Sequence, residues 1–355
     1  MLLERYLKGY LRILQKNHLP YELIFFVTNK CNSRCKGCFY WKSLNKKIDE
    51  LSLKEIEKIS ASLDNISTFL ISGGEPFLRK DLIKICEIFF KQNKLMRIHL
   101  PTNGLLTKTI VDKTRCLLKK CENVNIIITL PLDGLKRTND YLRGIKGSFN
   151  RVLITLSKLN KLKQEFPNLS TYVNTVVSNK NYNEVEELFN FVKQNFNASY
   201  HIFSPVRGKL KYTSIKPTTS KEWMKLSKKL LKFDKYYFLK SCDNVAFLHL
   251  YLSMKKYIDK LFVEGLSRKP WPFNCLAGNM IGVLEPNGDV KLCELTQKIG
   301  NLRDYNYNFK KIWFSEEANK MRYKLRNCRH CTHACFFIPS MIYHPHFLTK
   351  SIVGI

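Results

Sequence analysis

From residue 22 to about 208 the chain alternates short, almost wholly apolar runs with longer segments whose apolar residues recur every three or four positions. The short runs at 22–29 (ELIFFVTN), 68–74 (TFLISGG), 97–104 (RIHLPTNG), 123–134, 170–178 and 199–206 predict strands. The longer ones near 53–64, 81–93, 107–120, 148–166 and 182–195 predict amphipathic helices. Strands this apolar are covered on both faces, which implies a parallel sheet flanked by helices. Six such units predict an α/β fold, a partial, TIM-like (β/α)6 barrel rather than a closed eight-stranded one. On such sheets chemistry gathers at the carboxyl ends of the strands, so the residues just after each strand are the ones to inspect.

The pattern changes outside this region. Residues 1–21 open on LLERYLKGYLRIL, which puts Leu3, Leu7, Tyr10, Leu11 and Leu14 on one helical face and Arg5, Lys8, Arg12 and Lys16 elsewhere. This amphipathic helix is expected to plug the open bottom of the barrel, with peripheral contact to a membrane as the alternative. Residues 209–268 form a Lys-rich helical linker. Residues 269–340 are a small Cys-rich unit in which IGVLEPNGDVKLC reads as a β-hairpin around Pro-Asn-Gly-Asp. Residues 341–355 are an apolar and basic tail.

Charge adds one question. The 60 Lys and Arg against 29 Asp and Glu give a net charge of +31. Runs such as KLSKKLLK (225–232) read as solvated helix faces, and no basic stripe interleaved with stacking aromatics appears, so a nucleic-acid partner is not expected. With no export signal and no apolar run of about eighteen residues, a cytoplasmic location is expected.

The cysteines change the picture most. Of 12, eight fall into the groups 31/35/38, 275/293 and 328/331/335. Clustered thiols without an export signal read as metal ligands rather than disulfides. CNSRCKGC places Cys31, Cys35 and Cys38 just past the first strand. Structural zinc sites take four ligands, commonly as two C-x2-C pairs, whereas three thiolates on an iron–sulfur cubane leave one iron open for an exchangeable ligand.

This C-x3-C-x2-C loop, followed by GGEP (Gly73, Gly74, Glu75, Pro76) after the second strand, resembles the radical S-adenosylmethionine (radical SAM) enzymes. The resemblance runs on through PTNG (101–104) and PLDGLKRTNDYLRGIKGSF (131–149). It implies that Cys31, Cys35 and Cys38 hold a [4Fe-4S] cluster that binds SAM and cleaves it to a 5′-deoxyadenosyl radical. It also implies that GGEP meets the methionine amino group, that Arg143 takes the SAM carboxylate, and that Asn103 and Asp133 meet the ribose or the substrate. Position 37, often aromatic or His in the family, is Gly, which leaves Phe39 or Tyr40 to face adenine. Position 131, often Ser, is Pro and offers no hydroxyl.

Cys275, Cys293 and the CRHCTHAC group with Cys328, Cys331 and Cys335 resemble the C-terminal SPASM/Twitch extension of these enzymes. That implies one auxiliary [4Fe-4S] cluster, with Cys275 and Cys293 as ligands and two of the last three cysteines completing it, unless His330 or His333 intervenes. The implied activity is hydrogen abstraction from a substrate C–H bond in peptide or protein modification, or else on a carbohydrate, alcohol or lipid-linked small molecule. A reductase such as flavodoxin or ferredoxin would supply electrons. The rival readings are a zinc-stabilised, basic nucleic-acid-binding protein and a pure electron carrier.

Overall fold

A computed structural model describes residues 2–15, 17–242 and 244–344. The tail from 345 onward, and the side chains of Leu3 and Arg5, lie outside the described residues. All six predicted barrel strands form: β1 (Glu22–Thr28), β2 (Thr68–Gly73), β3 (Arg97–Pro101), β4 (Asn125–Pro131), β5 (Leu169–Val177) and β6 (Tyr200–Pro205). The helices are α1 (Leu2–Leu14), α2 (Leu53–Ala61), α3 (Leu82–Asn93), α4 (Thr107–Lys120), α5 (Lys136–Arg143), α6 (Ser148–Glu165) and α7 (Val185–Asn195). Then come the long pair α8 (Ser220–Ser241) and α9 (Val245–Leu266), and the short α10 (Phe309–Trp313), α11 (Glu316–Leu325) and α12 (Ala334–Ile342). The barrel's main core lies between sheet and helices, where Phe69 stacks on Phe89 of α3 at 4.2 Å between ring centroids.

β7 (Ile281–Leu284), β8 (Asp289–Lys291) and β9 (Lys298–Asn301) continue the same sheet, whose order is β6-β5-β4-β3-β2-β1-β7-β8-β9. The predicted hairpin is β7–β8, but it is joined to the barrel. β7 pairs parallel to β1 with Glu22 opposite Ile281. Without it β1 would present an open row of amide and carbonyl groups, the usual hazard of an edge strand.

The helix α1 corrects an expectation. Leu7, Leu11 and Leu14, expected to plug the barrel, are 57%, 60% and 66% exposed. The face that packs is the opposite one. Gly9 is so close to the Tyr343 ring that a methyl group there would collide with it, and Ile13 packs against a buried cluster that includes Tyr21 and Tyr343. Arg12 ties the helix to the amino end of the sheet by donating to the carbonyls of Leu19 at 3.2 Å and Asn65 at 3.1 Å.

Candidate active site

The loop after β1 carries the three thiols, and its backbone is held from three sides. The buried Asn29 amide donates to the carbonyls of Ser43 (3.0 Å) and Lys46 (2.8 Å), which closes the loop on its own base. From the α5 side, Arg34 N–H donates to the Arg143 carbonyl (3.3 Å) and Lys36 N–H to the Leu142 carbonyl (2.8 Å). Within the loop, Ser33 N–H donates to Cys31 Sγ at 3.4 Å, and the Ser33 hydroxyl lies 3.2 Å from Cys35 Sγ.

The third side is the GGEP turn. Gly74 N–H donates to the Thr28 carbonyl and Glu75 N–H to the Lys30 carbonyl, both at 2.8 Å. Gly73 has φ +116°, and a side chain on it would strike the Thr28 carbonyl oxygen; one on Gly74 would strike that of Lys30. The sequence suggested that these glycines admit a ligand. What they admit first is the exit of β1 itself, and so they set the position of Cys31.

These pieces enclose a cavity of about 280 Å³ whose wall includes Cys31, Cys35 and Cys38. Gly73, Gly74, Pro76 and Asn103 line it on the β2–β3 side, Asp133 and Arg143 on the β4 side. Asn103 is fixed by donating from Nδ2 to Asn32 (2.7 Å) while its Oδ1 accepts from Leu105 N–H (3.0 Å), an Asx turn that also aims the residue at the cavity. Arg143 donates to Asp133 Oδ2 at 3.1 Å, and Asp133 Oδ1 accepts from Val176 N–H at 2.9 Å. The nearby Cys35 thiol and Asp133 carboxylate more than offset burial and hold the guanidinium firmly charged.

The donor set fits an iron–sulfur cluster. Burial pushes the Cys38 thiol up to about 11 and raises Cys31, with neighbouring thiols adding to both, so a thiolate is disfavoured here without a bound cation. Among the described residues no three His, Cys, Asp or Glu side chains are placed to hold a single metal ion. A tetrahedral zinc site needs such a convergence, whereas a cubane gives each thiolate its own iron and spreads its ligands.

A second group of thiols lies where the hairpin meets the last loop. Cys275 is raised to about 11, chiefly by burial and then by Cys328 and Cys331. Cys293 is raised by burial and by Cys275 and Cys331. Cys335 packs against the same apolar cluster as Cys275 and Cys293, with Arg207 and Glu294 as its strongest charged neighbours. Of the two histidines nearby, His333 is buried with Nε2 2.6 Å from Glu294 Oε2, and His330 is exposed.

Comparison with known proteins agrees with this geometry. Residues 25–192 match the family model of the radical SAM superfamily, and residues 275–332 match SPASM, an iron-sulfur cluster-binding domain. The chain belongs to the radical SAM superfamily. It is therefore a radical SAM enzyme, working with SAM and a [4Fe-4S] cluster, and its SPASM domain is of the auxiliary-cluster kind. The SPASM match spans Cys275, Cys293, Cys328 and Cys331 and stops short of Cys335. An AdoMet-dependent heme synthase of Methanosarcina barkeri is 27% identical over 84% of this chain and 83% of its own length. A cysteine-type anaerobic sulfatase-maturating enzyme of Clostridium novyi is 28% identical over 48% of this chain and 47% of its own. Among solved structures, anSMEcpe with bound AdoMet and a Cp18Cys peptide has a TM-score of 0.63 at 18% identity, covering 95% of this chain and 99% of that one. Streptococcus suis SuiB bound to its precursor peptide SuiA has a TM-score of 0.60 at 18% identity, covering 90% and 70%.

Two residues of this radical SAM enzyme sit differently from expectation. Glu75 is buried behind the cavity wall, where its carboxylate accepts from Asn103 N–H (2.6 Å), the Thr102 hydroxyl (2.8 Å) and Phe77 N–H (3.1 Å). These bonds clamp the third strand's loop to the second's. Tyr40 is likewise outside the cavity. Its hydroxyl donates to Glu285 Oε2 at 2.7 Å, joining the cysteine loop to the hairpin, while Phe39 lines the cavity. Tyr40→Phe is therefore expected to cost about 1–2 kcal/mol in anaerobic urea unfolding and to leave 5′-deoxyadenosine formation unchanged. A fall in the latter would return Tyr40 to the SAM site.

Sequence reasoning missed Arg207, which lines the cavity and lies over the Phe39 ring, 4.5 Å from its centroid. Among the described residues it has a long hydrogen bond of 3.4 Å to Glu294, and its buried Nε–H has no partner there. Coming from the loop after β6, it also feels Cys331 and Cys335. Its position after a strand was the one available signal.

Proposed function

We propose that the enzyme oxidises a C–H bond on a side chain of a peptide or protein, with Cys275, Cys293, Cys328 and Cys331 holding one auxiliary cluster. The observation that carries this is the single cavity with two kinds of wall. One part of its lining offers Cys31, Cys35, Cys38, Asn103 and Arg143; another offers Arg207, whose charged neighbours include Cys335 and Cys331 of the C-terminal unit. Held by Cys31, Cys35 and Cys38, the cluster with SAM would supply a 5′-deoxyadenosyl radical. The chain's part is positional. Arg143 presents a fixed cation suited to the SAM carboxylate, Phe39 gives an apolar face for adenine, and Arg207 separates substrate from auxiliary thiols. The small volume of the cavity suits a substrate presented as a protruding arm. A peptide side chain is such an arm, and the fold is shared with two enzymes solved with peptides.

A second reading, modification of a carboxylate-bearing tetrapyrrole, is favoured by the heme synthase likeness over most of both chains and by the unfilled donors of Arg207.

Anaerobic reconstitution tests the common part. The expected result is a brown protein with about eight irons per chain that releases 5′-deoxyadenosine from SAM when a reductant such as dithionite, flavodoxin or ferredoxin is present. A colourless protein with stoichiometric zinc overturns it. Cys275→Ala with Cys293→Ala is expected to lower iron to about four per chain, keep SAM cleavage and abolish turnover of substrate. Mass shifts in a peptide library or in a carboxylate-bearing tetrapyrrole decide between the two substrate readings.

A further inference from the structure

The amino end of the sheet, opposite the cavity, carries exposed apolar side chains at two places. On α1, Leu7, Leu11 and Leu14 form one stripe, 57–66% exposed, on the face turned away from Gly9 and Ile13. The second place is the tip joining α8 to α9, where Leu239 (42%), Phe247 (60%) and Leu250 (40%) stand out. That both belong to the same end follows from their tethers. Arg12 of α1 reaches the Leu19 and Asn65 carbonyls, just before β1 and β2, and Lys240 at the end of α8 donates to the Ala198 carbonyl (2.9 Å), just before β6. The strands β1 to β6 are parallel, so these starts share one face.

The face is also basic by construction. In a β/α unit each helix ends where the next strand begins, so the last turns of α3, α4, α6, α7 and α8 bring Lys91, Lys120, Lys163, Lys193 and Lys240 here. Lysines in last turns complement the helix dipole and alone would mean little. Here they share one end of the sheet with two apolar patches on a chain of net charge +31, along with the acidic residues Glu22, Asp64, Glu87, Glu122 and Glu165. Glu87 is shared by Lys91 and Lys120. No described helix is long and apolar enough to cross a membrane. An apolar stripe on a helix lying flat, ringed by lysines, has the chemistry of a surface that enters the headgroup layer of an anionic bilayer.

We propose that the enzyme attaches to an anionic lipid surface through this end, with Leu7, Leu11 and Leu14 entering the headgroup region and Phe247 and Leu250 giving a second contact. The cavity then faces away from the lipid and stays open to substrate and reductant. Lipid attachment is independent of which substrate reading holds.

Vesicle flotation with the reconstituted holoenzyme tests this. Wild type is expected to float with phosphatidylcholine vesicles containing roughly a third phosphatidylglycerol and not with phosphatidylcholine alone. Leu7→Gln/Leu11→Gln/Leu14→Gln is expected to reduce the bound fraction by about tenfold or more, and Phe247→Ser/Leu250→Ser by several-fold. Iron content and 5′-deoxyadenosine release are expected to match wild type in both variants, which shows that they are folded. Absence of wild-type flotation overturns the proposal, as does either variant floating like wild type. A wild-type dimer in sedimentation that the leucine variant dissolves, without lipid binding by either, assigns the stripe to a second copy of the chain instead.

Discussion

Replacing Cys31, Cys35 and Cys38 together by alanine is expected to abolish dithionite-dependent 5′-deoxyadenosine formation and to remove about four of about eight irons, while the auxiliary iron remains. The effect is total because the three thiols are the only thiol donors in the cavity wall, and the backbone around them is held by hydrogen bonds that the substitution leaves in place. Iron analysis and chromatography of the nucleoside product check it. Residual cleavage at more than background would show that SAM is reduced elsewhere in the protein.

Gly74→Ala is expected to be nearly as severe by a different route. A methyl group there collides with the Lys30 carbonyl oxygen, and that carbonyl is the acceptor for Glu75 N–H at 2.8 Å. Both chain segments are backbone, so neither can rotate away. A stability loss of about 3 kcal/mol or more is expected, with loss of the SAM-cleaving cluster because Cys31 follows directly. Gly147→Ala supplies the contrast. It too has positive φ, +78°, but nothing lies within 4 Å of the added carbon, so about 1 kcal/mol is expected with full iron content. Anaerobic denaturation and iron analysis of the two variants give the comparison. Equal behaviour would mean that the GGEP turn does not position the cysteine loop.

The strands were legible in the sequence because each is an unbroken apolar run closed by a turn. The cysteine loop was legible because its spacing is local. The helix α5 was not singled out, since KRTNDYLR is mostly polar and its buried side is Asn139 and Leu142. The leucine stripe of α1 was assigned inward by the rule that the larger apolar face is buried. The helix instead buries the small face, because Gly9 lets it press against Tyr343. Arg207, Glu294 and His333 were invisible as a group. They are brought together across 87 and 39 positions of sequence, by the sheet rather than by any motif.

The pairing of β1 with β7 has a consequence for biosynthesis. The barrel's first strand waits for a neighbour that leaves the ribosome more than 250 residues later, since Glu22 lies opposite Ile281. Until then β1 is paired only with β2 and keeps one open edge, so closure of the sheet awaits synthesis of the C-terminal hairpin. Such long-range contacts slow folding and prolong exposure to aggregation. Truncated chains ending before residue 281 should accordingly accumulate in chaperone-bound or insoluble form.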